Sequence, residues 1–255
     1  MQIALETRAL AKSYGAVQAL RGVDFSAGQG QVTALCGDNG AGKSTLIRVL
    51  SGAHEPDSGQ VLLHGQAVSF ATPHDALQQG IATIYQDLAL APSLSIWQNI
   101  FMGAERTRRL LGMVKVLDAK EMRSKSAELL ASLNQTIDDM NRPVSELSGG
   151  QRQAVAISRA LLWQAKIIIM DEPTAALGVK ETAEVLALIM RLKAKGVTVI
   201  LISHSMQDVV AVADQIVILK AGRKAVESGV AGLTAQDLSQ AILSGTLAPG
   251  GPTLH

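Results

Sequence analysis

Gly37-Asp38-Asn39-Gly40-Ala41-Gly42-Lys43-Ser44 fulfils the pattern G-x-x-x-x-G-K-[ST], in which a backbone loop wraps an anion. Gly37, Gly40 and Gly42 carry no Cβ, so the chain can curl tightly and aim its N–H groups inward, while the helix that follows adds its positive end. In such a loop Lys43 reaches the β- and γ-phosphates and the Ser44 hydroxyl sits on Mg²⁺. The alternative is a chance match in a glycine-rich turn. An apolar strand, Val32 to Cys36, directly before the loop and a helical run, Thr45 to Leu50, directly after it make chance rarer.

A second set of chemical groups lies far along the chain. Ile167 to Met170 reads as a strand buried on both faces, and it ends in the carboxylates Asp171 and Glu172. Near a phosphate loop, Asp171 would hold Mg²⁺ and Glu172 would orient and polarise a water attacking the γ-phosphorus; an acidic pair that only caps the next turn is the other reading. Val197 to Ile202 is a further buried strand, and it delivers His204 to the same edge, either to hydrogen-bond the γ-phosphate or as a structural histidine. Leu147-Ser148-Gly149-Gly150-Gln151 opens a helix read as Arg152 to Trp163. Ser148 with two glycines is either a plain N-cap or a second anion-binding surface, and the latter could grip a γ-phosphate on a second copy of the protein.

The elements that must position these groups read as α/β. Ile3 to Leu10 and Val23 to Phe25 are strands separated by glycine-bearing turns, and Tyr14 falls in the first of these, either stacking on a purine or pinning its turn. The helix after the phosphate loop stops at Gly52. Val61 to Leu63 is a short strand; Thr72-Pro73 opens a helix through Gln79; Ile81 to Tyr85 is the next strand, with Gln86 at its carboxyl end. From Asp87 to about Ala160 strand signals disappear, leaving helices at Ser95 to Met102 and Asp118 to Leu133, the second with Asp118 and Glu121 spaced as a capping box. The pattern predicts one domain over 1–255: a nucleotide-binding core from 1–86 and 161–220, a helical subdomain over 87–160, and a tail over 221–255. In the tail, Thr234 to Leu243 reads as a helix before Pro249-Gly250-Gly251-Pro252.

Composition narrows the classes of function. A chain of 255 residues with 47% hydrophobic content can bury a sizeable core, and a formal net charge of +1 argues against a general nucleic-acid binder. Arg106, Arg108 and Arg109, the densest basic group, read as a solvated face. The single cysteine, Cys36, sits in an apolar strand, so disulfides are not expected and a reducing compartment is. Met1 to Glu6 meets a charge before a signal-peptide core could form, and the apolar runs are too short to cross a bilayer, so any tie to a membrane is expected to go through a partner.

In order and spacing these stretches resemble the ATP-binding cassette ATPases, over almost the whole chain from Tyr14 to His204. Tyr14 resembles the family's aromatic loop, Gly37 to Ser44 its Walker A motif, Gln86 its Q-loop, Leu147 to Gln151 its signature, Ile167 to Asp171 with Glu172 its Walker B motif, and His204 its switch histidine. The resemblance implies a P-loop NTPase (RecA-like) core with a mostly parallel sheet, an N-terminal antiparallel β subdomain and an inserted helical subdomain. It implies that Tyr14 stacks adenine, that Gly40, Gly42, Lys43, Ser44 and Thr45 bind phosphate and metal, and that Gln86 touches Mg²⁺ and reports occupancy. Ser148 and Gly150 would act in trans on the ATP of a second cassette, and Asp171, Glu172 and His204 would complete hydrolysis. Ala175-Ala176-Leu177-Gly178 resembles the family's D-loop but has glycine where aspartate is usual.

A finer resemblance, carried by Thr72 to Ala76 with Gly80-Ile81, by Ile84 to Leu90 and by Pro173 to Leu177, is to cassettes of bacterial importers of ribose, xylose and fructose. It implies an active ATPase with ATP and Mg²⁺ as ligands, paired as a homodimer on the cytoplasmic face of the inner membrane. Its partners would be integral membrane permease subunits and, indirectly, a periplasmic sugar-binding protein. With only one set of motifs, the chain shows no internal repeat. An exporter, another cargo, or a non-transport ATPase of the same family is the alternative.

Overall fold

The computed structural model describes residues 2–110 and 114–247. Along the chain, β1 (Ile3–Tyr14) and β2 (Val17–Gly28) form a hairpin, and β3 (Val32–Cys36) runs through the phosphate loop into α1 (Lys43–Leu50). Then come β4 (Ser58–Leu63), β5 (Gln66–Val68), α2 (Pro73–Gln78) and β6 (Ile81–Ile84). The middle of the chain holds α3 (Ile96–Phe101), β7 (Thr107–Leu110), β8 (Val114–Leu117), α4 (Ala119–Ser132) and α5 (Gly149–Leu162). It closes with β9 (Ile167–Asp171), α6 (Val179–Ala194), β10 (Thr198–Ile202), α7 (Met206–Val212), β11 (Gln215–Lys220), β12 (Arg223–Gly229) and α8 (Ala235–Ser244).

The central sheet has the order β12-β11-β3-β10-β9-β6, parallel except for the antiparallel edge strand β12. Its middle strands are apolar on both faces because both are covered. Ile168, Met170, Val199 and Leu201 face a core shared with α3, α4, α5 and α6, whereas Ile167, Ile169, Ile200 and Ile202 face one shared with α1 and the antiparallel sheet β2-β1-β4-β5. A third core, with Ala34, Cys36, Ile216 and Ile218, seats α7 and α8. These layers are the expected mostly parallel core with an antiparallel β subdomain.

Several elements differ from the sequence expectations for identifiable reasons. β1 and β2 run well past their apolar stretches, since antiparallel pairing such as Lys12 with Leu20 needs backbone and not apolar side chains. Tyr14 is therefore the last residue of β1, not part of the turn. The helical insert also contains strands: β7 and β8 pair Arg109 with Lys115, and Val114 and Leu117 of β8 are exposed, so no buried face marks the strand in the sequence. Arg106, Arg108 and Arg109 are solvent-exposed, as expected. At α4, Asp118 accepts from the Glu121 N–H, which is only one half of the predicted capping box. α5 begins three positions earlier than predicted because Ser148 is its N-cap. β12 extends the central sheet past residue 220, into the segment expected to be a tail. The helix expected over Thr234 to Leu243 is present as α8, capped by Thr234, while Pro249 to Pro252 lie outside the described residues.

Candidate functional site

The parallel sheet ends in a cavity of about 400 Å³, lined by Asn39 to Thr45, Asp171, Glu172 and His204, with Val17, Gln18, Ala19 and Arg21 of β2 and the turn residues Ala221 and Gly222. The carboxyl edge of the sheet is where open α/β folds place ligands. Parallel register brings the acids there: Ile202 pairs with Asp171 on one side and Leu35 on the other, so the chain leaves β3, β9 and β10 at one level.

The phosphate loop is built for an anion. α1 begins at Gly42 with no side chain capping it, so the first backbone donors of the helix remain open to the cavity. Lys43 is buried, and its Nζ donates to the carbonyls of Gly37 (2.6 Å) and Asp38 (3.0 Å), so the ammonium braces the loop from within. Burial lowers the Lys43 pKa from its ordinary value, partly opposed by the negative charges around it. Gly37 and Asp38 themselves do not line the cavity; they face a separate groove with Ser203 and His204, and their contribution is the two carbonyls.

Asp171 and Glu172 line the same cavity. Desolvation, and then the neighbouring charge of Glu172, raise the Asp171 pKa, the environment a cation would relieve. Glu172 has a left-handed backbone, φ +50°, which costs a side-chain-bearing residue about 1 to 2 kcal/mol. A hydrogen bond from its N–H to the Ile202 carbonyl (2.9 Å) holds it there and turns the carboxylate into the cavity. His204 Nε2 lies 2.9 Å from Glu172 Oε1, so the imidazole orients that carboxylate. Among the described residues, no cluster of three or more His, Cys, Asp or Glu side chains could hold a metal. Ser44 and Asp171, however, offer two oxygens to one cavity, a donor set that fits Mg²⁺ completing its shell with phosphate and water.

Not every predicted residue converges on this cavity. Tyr14 is 40% exposed and packs edge-on against His54 with ring centroids 5.7 Å apart, outside the cavity lining; Val17, its partner across the hairpin, lines the mouth instead. Gln86 is exposed and lines an adjoining cavity of about 460 Å³ between the core and the helical subdomain. Glu172 borders both cavities, so it is the side chain that stands between Gln86 and the phosphate loop. Sequence reasoning missed Val17 to Ala19, Arg21 and the β11–β12 turn. That turn buttresses the loop through Gly222 N–H to the Ala41 carbonyl (3.0 Å) and Arg21 N–H to the Gly222 carbonyl (2.8 Å); Ala221-Gly222 between two strands was its only signal.

Ser148, Gly149, Gly150 and Gln151 also lie outside the phosphate-loop cavity of their own chain. Ser148 caps α5 by accepting from the Gln151 N–H, and Gln151 returns the contact to the Ser148 N–H. Gly149 N–H donates to Glu181 Oε1 (2.7 Å). Of the three donors at the helix start, only that of Gly150 has no acceptor among the described residues. Among the described residues the Ser148 hydroxyl proton has no acceptor either, unlike that of the similarly capping Ser95, which donates to Gln98 Oε1 (2.8 Å). At the positive end of this fourteen-residue helix, one N–H and one hydroxyl thus have no acceptor among the described residues; Ser148 is exposed, whereas Gly150 is buried against Glu184.

The family model described as "ABC transporter" matches residues 20–175. The chain is 50% identical over 219 residues to a xylose/arabinose import ATP-binding protein of Sulfolobus acidocaldarius, covering 86% of this chain and 85% of that one. It is 47% identical over 223 residues to a fructose import ATP-binding protein of Rhizobium meliloti, covering 86% of each. Among solved structures, the ADP conformation of an ATP-binding cassette of an ABC transporter superposes with a TM-score of 0.80 at 27% identity, covering 95% of this chain and 96% of the other.

Proposed function

This chain belongs to the ABC transporter family of ATP-hydrolysing cassettes, and from that premise we propose that it energises the import of a simple sugar. The observation that carries the reading is the convergence of an uncapped phosphate loop, Asp171, and the Glu172–His204 pair on one cavity, in a chain similar along most of its length to two sugar-import cassettes.

ATP binds with its phosphates on the open donors of α1, next to Lys43, and its base toward the mouth near Val17. Ser44 and Asp171, with Gln86 from the adjoining cavity, would hold Mg²⁺, which would supply charge neutralisation at the phosphate oxygens. Glu172 takes the proton of the attacking water and His204 keeps the carboxylate aimed at it. Ser148 and Gly150 donate to the γ-phosphate of ATP held by a second copy, consistent with their absence from the lining of their own cavity. Two cassettes then close on two nucleotides, and hydrolysis lets them part.

No helix among the described residues is long and apolar enough to cross a membrane. Peripheral attachment to the cytoplasmic face through permease subunits fits the groove between core and helical subdomain, where Tyr85, Met102 and Trp163 line a cavity of about 410 Å³. A binding protein outside the membrane would select the sugar. Co-expression with a permease followed by detergent purification tests the reading. The complex should hydrolyse ATP, faster with sugar-loaded binding protein; a chain that never retains a membrane subunit and hydrolyses ATP at an unregulated rate would contradict it.

A further inference from the structure

The loop that follows the catalytic acid is fastened at both ends. Near its start, the Thr174 hydroxyl donates to Asp208 Oδ2 (2.8 Å) on α7, the helix that follows His204. At its end, the Glu181 carboxylate in the first turn of α6 accepts from Gly178 N–H (3.4 Å) and, with its other oxygen, from Gly149 N–H (2.7 Å) at the start of α5. One side chain therefore ties the loop after Glu172 to the helix whose open end presents Ser148 and Gly150. The approach is close. A Cβ on Gly149 would lie 2.4 Å from Leu177 Cδ2 and 3.1 Å from Glu181 Oε1, so glycine there is what allows the carboxylate to reach the backbone.

We propose that Glu181 is a positioning residue for the ATP site of the partner subunit. It consumes the first donor of α5, so that the Ser148 hydroxyl and the Gly150 N–H alone face the γ-phosphate across the dimer, and it makes α5 move with the loop that trails its own Glu172. The tie lies within one chain, where the resemblance had led to a carboxylate at position 178 that this sequence lacks. The inference rests on the reading that Ser148 and Gly150 act in trans.

Mixed dimers test it in a form that separates the two ideas. One subunit carries Glu172→Gln, leaving a single working Glu172 in the other, and single-site ATP turnover is measured. Glu181→Ala on the Glu172→Gln subunit, whose α5 serves the working site, should lower turnover about tenfold, the scale of deleting one charge-assisted hydrogen bond to a backbone donor. On the other subunit, whose α5 serves the disabled site, it loosens only the loop after the working Glu172 and should lower turnover less. Glu181→Gln on the Glu172→Gln subunit, whose amide oxygen still accepts from Gly149, should keep most of the rate. Glu181→Asp, too short to reach Gly149, should behave as the alanine variant and serves if that variant does not assemble. Ser148→Arg in the same two placements is the control. If it discriminates between them and the Glu181 variants do not, the inference falls and the trans reading stands; if Ser148→Arg fails to discriminate, both fall.

Discussion

Gly42 of the phosphate loop is required by contacts outside the loop and Gly40 is not, which makes Gly42→Ala and Gly40→Ala a discriminating pair. Gly42 has φ +108°, and a Cβ on it would lie 2.7 Å from the Ala19 carbonyl oxygen and 3.0 Å from Leu20 Cδ2. Left-handed strain adds about 1 to 2 kcal/mol and overpacking about 1 to 3 kcal/mol, so Gly42→Ala should lose about 2 to 5 kcal/mol. That is a large share of the roughly 5 to 15 kcal/mol of a typical domain. Gly40 has φ +79° with nothing within 4 Å of the same atom, so Gly40→Ala carries the strain alone, about 1 to 2 kcal/mol. Urea unfolding without nucleotide reads the difference as midpoints at equal slope. Because the Ala19 carbonyl belongs to β2 at the cavity mouth, Gly42→Ala should also weaken nucleotide binding far more than Gly40→Ala. Equal losses from the two variants would refute the reasoning.

The raised pKa of Asp171 has a definite sign for stability. A carboxyl that holds its proton more tightly folded than unfolded adds no penalty at acid pH, and its ionisation destabilises the fold increasingly as pH rises above the ordinary 3.8. Asp171→Asn should therefore raise the urea midpoint at pH 7 without nucleotide while abolishing Mg²⁺-dependent hydrolysis; a lower midpoint would contradict the assignment. Burial pushes the Cys36 thiol up to about 12. It should resist alkylation at pH 8 in the native protein and react once the chain is unfolded in urea, and rapid native labelling would contradict its place in the core.

Much of this was legible because the relevant signals are local. The phosphate loop, the buried strand ending in Asp171 and Glu172, and the helix starts at Thr72, Ser95 and Thr234 are each written within a few consecutive residues. The features that escaped depend on partners distant in sequence or on backbone pairing indifferent to side chains. β7 and β8 oppose Arg109 to Lys115, and β8 leaves Val114 and Leu117 exposed, so periodicity has no buried face there to reveal. Ala221-Gly222 reads as an ordinary turn until Gly222 N–H is seen to hold the Ala41 carbonyl. Tyr14 was singled out for its ring, yet the hairpin puts Val17 at the mouth and packs the tyrosine on His54. The Gly149–Glu181 bond joins residues 32 apart, and no motif spacing records it.

The central claim is that ATP is enclosed between two copies of this chain and cleaved with Glu172 as the base. Size exclusion of Glu172→Gln with Mg²⁺-ATP, run beside a turnover assay, tests it most directly. The account predicts a dimer that forms only with ATP and a rate lower by about 10² to 10⁴, the usual contribution of a general base. A protein that stays monomeric and turns over ATP at the unmodified rate would contradict it.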